Sequence, residues 1–181
     1  MTSANTKQAQ TVPRFNLLAR CLHWLMAPLL LTMLFIGVCM MTSLQHRIFL
    51  INLHRPLGIA ILLLAILRLF NRLRHPRVDS GDSLPRWQAA AAHASHLLLY
   101  GLMLALPLLG WATLSAGDYP VRMFAGITLP HITPASPVLY AWLRDAHGYL
   151  AWLLFAVVLA HVCAALMHAW VLRDKIFSRM T

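Results

Sequence analysis

The sequence contains no glutamate, and its five acidic residues are all aspartate. None of the five falls in the middle of an apolar run. Paired-carboxylate acid–base chemistry has no candidates here, and neither does an acidic path for cations through a membrane. Cysteine is scarce: Cys21, Cys39 and Cys163 each stand alone inside apolar stretches, with no C-x-x-C and no C-x-x-C-H. Covalent attachment of a c-type haem is thereby excluded, and the three read as small, buried apolar residues. No activated nucleophile and no glycine-rich phosphate loop is present. Charged residues make up 11% of the chain, against about 25% in an ordinary soluble domain.

What fills the 181 residues is apolar: 60% are hydrophobic and the mean hydropathy is +0.66. Four runs are long enough to cross a bilayer, which takes about 20 apolar residues. They cover about Leu17–Met41, Ile48–Phe70, Ala89–Ser115 and Pro137–Leu172. The first exceeds the hydrophobic stretch of a secretory signal and is followed by no small-residue cleavage site, so it reads as a retained helix. The fold class expected is all-α, an integral membrane four-helix bundle. Residues 1–13 form a polar, disordered tail, and residues 14–181 form a single domain.

The net charge of +10 does not point to nucleic acid, because the basic residues lie in the gaps between apolar runs. Eleven fall on one side: Lys7, Arg14, Arg20, Arg68, Arg72, Arg74, Arg77, Arg86, Arg173, Lys175 and Arg179. The other side has four, Arg47, Arg55, Arg122 and Arg144. The positive-inside rule then places both termini in the cytoplasm. The longest connection, residues 116–136, is expected outside, folded over the mouth of the bundle.

Ten histidines stand out in so apolar a chain, since an imidazole inside a membrane needs a partner. By depth, His23 of the first run and His161 of the fourth fall in an inner layer. His54 of the second and His147 of the fourth fall in an outer one. The two on the fourth helix are 14 residues apart, which puts them on one stripe, about 21 Å apart along the axis. Two bis-histidine layers joining different helices suit two b-type haems, whose irons take axial imidazoles. A zinc site would want four clustered ligands. Gly58, one turn after His54, leaves room for a flat macrocycle, and Arg20 and Arg55 are placed to meet propionates at the two faces.

The stretches RCLHWL, NLHRPLGIAILLLAILRLFNRL, HASHLLLYGLMLALPLLGW and DAHGYLAWLLFAVVLAHVCAALMH resemble the successive spans of bacterial cytochrome b561. The resemblance runs from Arg14 onward and keeps the order and spacing of the histidines. It implies two non-covalent b haems ligated by His23, His54, His147 and His161, electron transfer with ubiquinone, and a bacterial inner-membrane location. One branch resembles a superoxide oxidase. The expected function is a relay of single electrons between an outer donor, small and anionic or a protein, and membrane quinone. That would make the chain a quinone-linked oxidoreductase, surrounded by lipid and open to homodimer formation.

Two other readings stay open. One is a haem-bearing anchor subunit of a dehydrogenase or hydrogenase, and the other a haem-free transporter that uses the histidines.

Several polar residues remain. His93 and His96 share a helix face at spacing three, and His168 follows His161 by two turns. His93 and His96 are candidates for a third ligand set or for a quinone or proton site, or are interfacial; His168 could hydrogen-bond a quinone carbonyl or a propionate, or is interfacial. Arg122 and Arg144 could draw a small anion toward the outer layer, or could pair with Asp118 and Asp145.

Overall fold

The structure is a computed structural model, and it describes residues 14–75, 85–123 and 126–174 together with Ser178 and Met180. The tail expected over residues 1–13 lies outside the described residues, as do Lys7, Arg77, Lys175 and Arg179.

Four helices of membrane-spanning length account for most of the chain: α1 (Leu17–Thr42), α2 (Arg47–Arg74), α3 (Arg86–Ala116) and α4 (Pro137–Leu166). Their starts are set by local chemistry. The Asn16 side chain accepts the Ala19 N–H at 2.7 Å and caps α1. Ser136 caps α4 through the Leu139 N–H, with Pro137 opening the first turn. Prolines inside α1, α2 and α3 (Pro28, Pro56, Pro107) are carried within the helices, as membrane helices tolerate when neighbours satisfy the freed carbonyls.

The second helix corrects the sequence reading, in which Arg68, Arg72 and Arg74 belong to a loop. The helix runs on through Arg74, so these arginines ride on its last turns. α4 passes directly into a π-helical turn, Met167–Leu172, which ends at Arg173 in the left-handed region (φ 50°). The continuous run from Pro137 to Leu172 has 36 residues. At about 1.5 Å per residue it outreaches a hydrocarbon core of about 30 Å.

α1 packs on α2, α2 on α3 and α3 on α4, while α1 and α4 barely touch. The core is a seam of Met26, Leu34, Ala65, Leu99, Leu102, Met103, Leu106, Leu154 and Val158. Large apolar side chains such as Phe35, Leu63, Trp142 and Leu159 face outward, as lipid contact requires. The three cysteines also lie exposed on the bundle surface. This corrects their reading as buried: an apolar residue of a membrane helix is equally at home against lipid.

The described residues nearest the two termini lie at one end of the bundle. Trp24 Nε1 donates to the Met180 carbonyl at 2.8 Å, and Asn16 and Asn71 exchange two amide hydrogen bonds of 3.2 Å. At the opposite end, the connection after α3 forms a two-stranded antiparallel ribbon, β1 (Val121–Arg122) with β2 (Thr128–Leu129). Val121 is buried where β1 meets α2 and α3. Trp111 Nε1 donates to the Pro130 carbonyl at 2.9 Å, and Thr133 Oγ1 to the Ala112 carbonyl at 3.1 Å. The ribbon thus lies back over the bundle mouth, as the sequence suggests. The ribbon end is the outer end of the sequence expectation, and the terminal end is the inner one.

Candidate functional site

In the outer layer, α2 and α4 bring His54 and His147 together edge to face, with ring centroids 6.1 Å apart and planes at 68°. With metal–imidazole bonds of about 2 Å, and roughly 1 Å more from each nitrogen to its ring centre, two imidazoles on one metal stand about 6 Å apart. The Nδ1 atoms of both histidines are buried without a hydrogen-bond partner. An unsatisfied buried polar group costs about 1–3 kcal/mol, so each ring stands without the partner that a buried imidazole nitrogen ordinarily finds. Both rings line a cavity of about 630 Å³ that reaches from α1 to α4, within the range of cofactor pockets. Gly37, Gly58 and Gly148 line it too. A Cβ on Gly37 or Gly148 would meet nothing within 4 Å, and one on Gly58 would meet only Met33 Cε, at 3.3 Å. These residues fit a flat, apolar, iron-bearing macrocycle.

The arginines assigned to propionates fit in the same way. Arg20 Nε and Arg55 Nε are buried and unpartnered. Among the described residues, every buried side-chain nitrogen or oxygen left without a partner belongs to Arg20, His54, Arg55 or His147.

The inner layer is built differently. His23 of α1 and His161 of α4 lie close enough to interact electrostatically, with His96 of α3 beside both. The ring contact in this layer is between His96 and His161, with centroids 5.6 Å apart. His23 Nδ1 instead accepts a hydrogen bond from Arg68 Nη1 at 2.9 Å, while Arg68 Nε donates to the Tyr100 hydroxyl at 3.0 Å. A guanidinium can only donate, so Nδ1 of His23 is the acceptor and its proton sits on Nε2. Ligation of a metal through Nε2 would require Arg68 to release that nitrogen. Arg72 stacks on the other side of the network, with its guanidinium carbon 5.1 Å from the Tyr100 ring centre.

His93 and His96 part company despite their shared face: His96 turns in toward His161, whereas His93 is exposed. His168, at the start of the π turn, is held by Asp174, with Nδ1 and Oδ2 2.5 Å apart. Asp174 escapes a sequence reading because only the π turn and the left-handed Arg173 fold it back onto His168.

Arg122 and Arg144 are not brought together. Arg144 is exposed on the rim of the large cavity with Arg47 and Asp145. Arg122 sits on β1, near enough to Arg55 to act on it electrostatically. Neither makes an ion pair with another described residue, and Asp118 turns to His131 at 3.6 Å.

Comparison with known proteins agrees with this architecture. The family model described as prokaryotic cytochrome b561 matches residues 14–181. A probable superoxide oxidase CybB of Yersinia pestis is 34% identical over 128 residues, covering 71% of this chain and 72% of the relative. Cytochrome b561 homolog 2 of Escherichia coli (strain K12) is 25% identical over 175 residues, covering 94% and 92% of the two chains. Cytochrome b561 homolog 1 of the same strain is 31% identical over 127 residues, covering 70% and 72%.

Proposed function

The chain belongs to the prokaryotic cytochrome b561 family, a multi-pass electron-transfer protein of the bacterial inner membrane that uses haem b, and from that premise we propose that it carries electrons from a small anionic donor at the ribbon end to ubiquinone at the terminal end. Two b haems, when bound, would supply one-electron carriers at the outer and inner layers. The observation that carries this reading is the outer pair: two half-buried imidazoles set about one metal's width apart on a cavity of cofactor size.

In this reading His54 and His147 hold the outer haem, and His23 and His161 the inner one, with Arg55 and Arg20 on the propionates. The 5.6 Å approach of His96 to His161 favours a second reading, in which His96 replaces His23 as the inner partner. Orientation follows from charge. Arg14, Arg20, Arg68, Arg72, Arg74, Arg86 and Arg173 gather at the terminal end, against Arg47, Arg55, Arg122 and Arg144 at the ribbon end. The terminal end is therefore cytoplasmic.

The donor we favour is superoxide. Arg47, Arg122 and Arg144 present positive charge at the outer mouth and draw an anion by long-range attraction. One relative carries the name superoxide oxidase, at 34% identity. The balance is simple: two superoxide anions lose one electron each and leave as dioxygen, and ubiquinone gains two electrons and two protons to leave as ubiquinol. At the inner end His168, oriented by Asp174, passes a proton to a quinone oxygen, the usual arrangement of a base held by a carboxylate. His96 and His93 line the route from the inner layer to that face.

The test is quinone reduction by purified protein in lipid with superoxide as donor. Ubiquinol formed in step with superoxide loss is the expected result. Haem that superoxide reduces no faster than the uncatalysed background would overturn the donor assignment.

A further inference from the structure

Gly110 lies on α3, which carries none of the four sequence-predicted ligands, yet among the described glycines it is the one whose added Cβ would meet one of them. A Cβ built on it would stand 3.3 Å from His147 Cε1 and 3.6 Å from His147 Nδ1. The first distance is tighter than ordinary carbon–carbon contact, so the ring lies where any other residue would begin to push it away. One turn earlier on the same helix stands Leu106, which lines the large cavity together with His147. His147 Nδ1 is buried and makes no hydrogen bond here. In an α-helix the Leu106 carbonyl already receives the Gly110 N–H, and it keeps a second lone pair free.

The same glycine lines a second, small cavity of about 50 Å³ shared with His54, Arg55 and Gly58. A side chain at position 110 would therefore crowd His147 and fill space beside His54.

We propose that Gly110 is a positioning residue for the outer haem: its bare Cα lets the His147 imidazole lie against α3, where the Leu106 carbonyl takes the Nδ1 proton and reserves Nε2 for iron. Metal-bound imidazoles are oriented by such a bond from the other ring nitrogen. The inference rests on His147 being an outer ligand, as proposed above. The alternative role for this glycine is plain close packing of helices, which small residues also serve.

The protein carries its own control, because the inner haem is ligated by other residues. Purified holoprotein of Gly110→Ala and Gly110→Val is compared with wild type by haem per chain, low-temperature EPR of the oxidised haems and redox titration. Gly110→Ala should keep both haems but move the EPR signal and the midpoint potential of one. The same shift should appear in a His161→Ala background, where only the outer haem is left. Gly110→Val should lose one haem per chain, matching His147→Ala.

Unchanged signals in Gly110→Ala would overturn the proposal, and so would equal shifts of both haems, which mark general packing. These readouts stand even if the valine variant fails to fold. Retention of both haems by His147→Ala would instead defeat the ligand assignment itself.

Discussion

The outer and inner histidine layers contain the same residue type on the same kind of helix, yet they are finished differently. At the outer layer the protein leaves polar atoms idle: His54 Nδ1, His147 Nδ1 and Arg55 Nε have no partner, and the cavity beside the two imidazoles is roomy. At the inner layer Arg20 Nε is the one buried polar side-chain atom left idle among the described residues, and the other polar side chains serve one another. His23 accepts from Arg68, His161 meets His96, and His168 is held by Asp174. The outer site is a socket that is costly until filled. The inner site is a hydrogen-bonded network that lies toward the arginine-rich terminal end. The difference suits a relay whose outer end receives only electrons and whose inner end delivers them together with protons.

The largest effects should come from removing ligands. His147→Ala or His54→Ala should abolish the outer haem and leave about one haem per chain. His161→Ala should do the same for the inner haem and spare the outer. Single-residue variants also decide the inner pairing. If His23 is the partner of His161, His23→Ala loses a haem and His96→Ala keeps both; the reverse pattern would move the ligand to His96.

A middle-sized effect is expected at Arg68. Removing a cation near an iron favours its ferric form. Arg68→Leu should therefore lower the inner potential, by about 60 mV for each tenfold change in the one-electron equilibrium, and leave the outer one in place. A shift of the outer potential alone would contradict the placement of Arg68. Smaller again, neutralising Arg122 and Arg144 together should slow haem reduction by superoxide several-fold at low salt. The slowing should fade as ionic strength rises, and reduction by dithionite should be less affected. The smallest effect is structural: Asn71→Ala removes the amide pair with Asn16 and should cost about 1 kcal/mol, read as a modest loss of thermal stability with haem content unchanged.

Much of this architecture is legible in the sequence because a bilayer imposes so few solutions. The first apolar run ends one residue short of α1, whose range is Leu17–Thr42, and the other runs find their helices. The opposition of His54 to His147 follows from depth alone. What sequence misses has identifiable causes. Arg68 reads as loop because hydropathy marks where the chain meets water, whereas the helix continues for as long as its hydrogen bonds do. His93 and His96 look equivalent by spacing, and only the crossing of α3 and α4 separates them. Gly110 carries no chemistry to notice, and its importance exists only in the distance between two helices. Asp174 reaches His168 through a π turn and a left-handed residue, neither of which a periodic pattern announces.

The central claim is that the chain holds two haems in two histidine layers, and it is tested most directly by haem content. A reduced-minus-oxidised spectrum of the purified protein, with haem quantified per polypeptide, should show b-type bands and about two haems per chain. One haem per chain would contradict the two-layer account, and its absence under haem-replete expression would leave the outer socket to some other occupant.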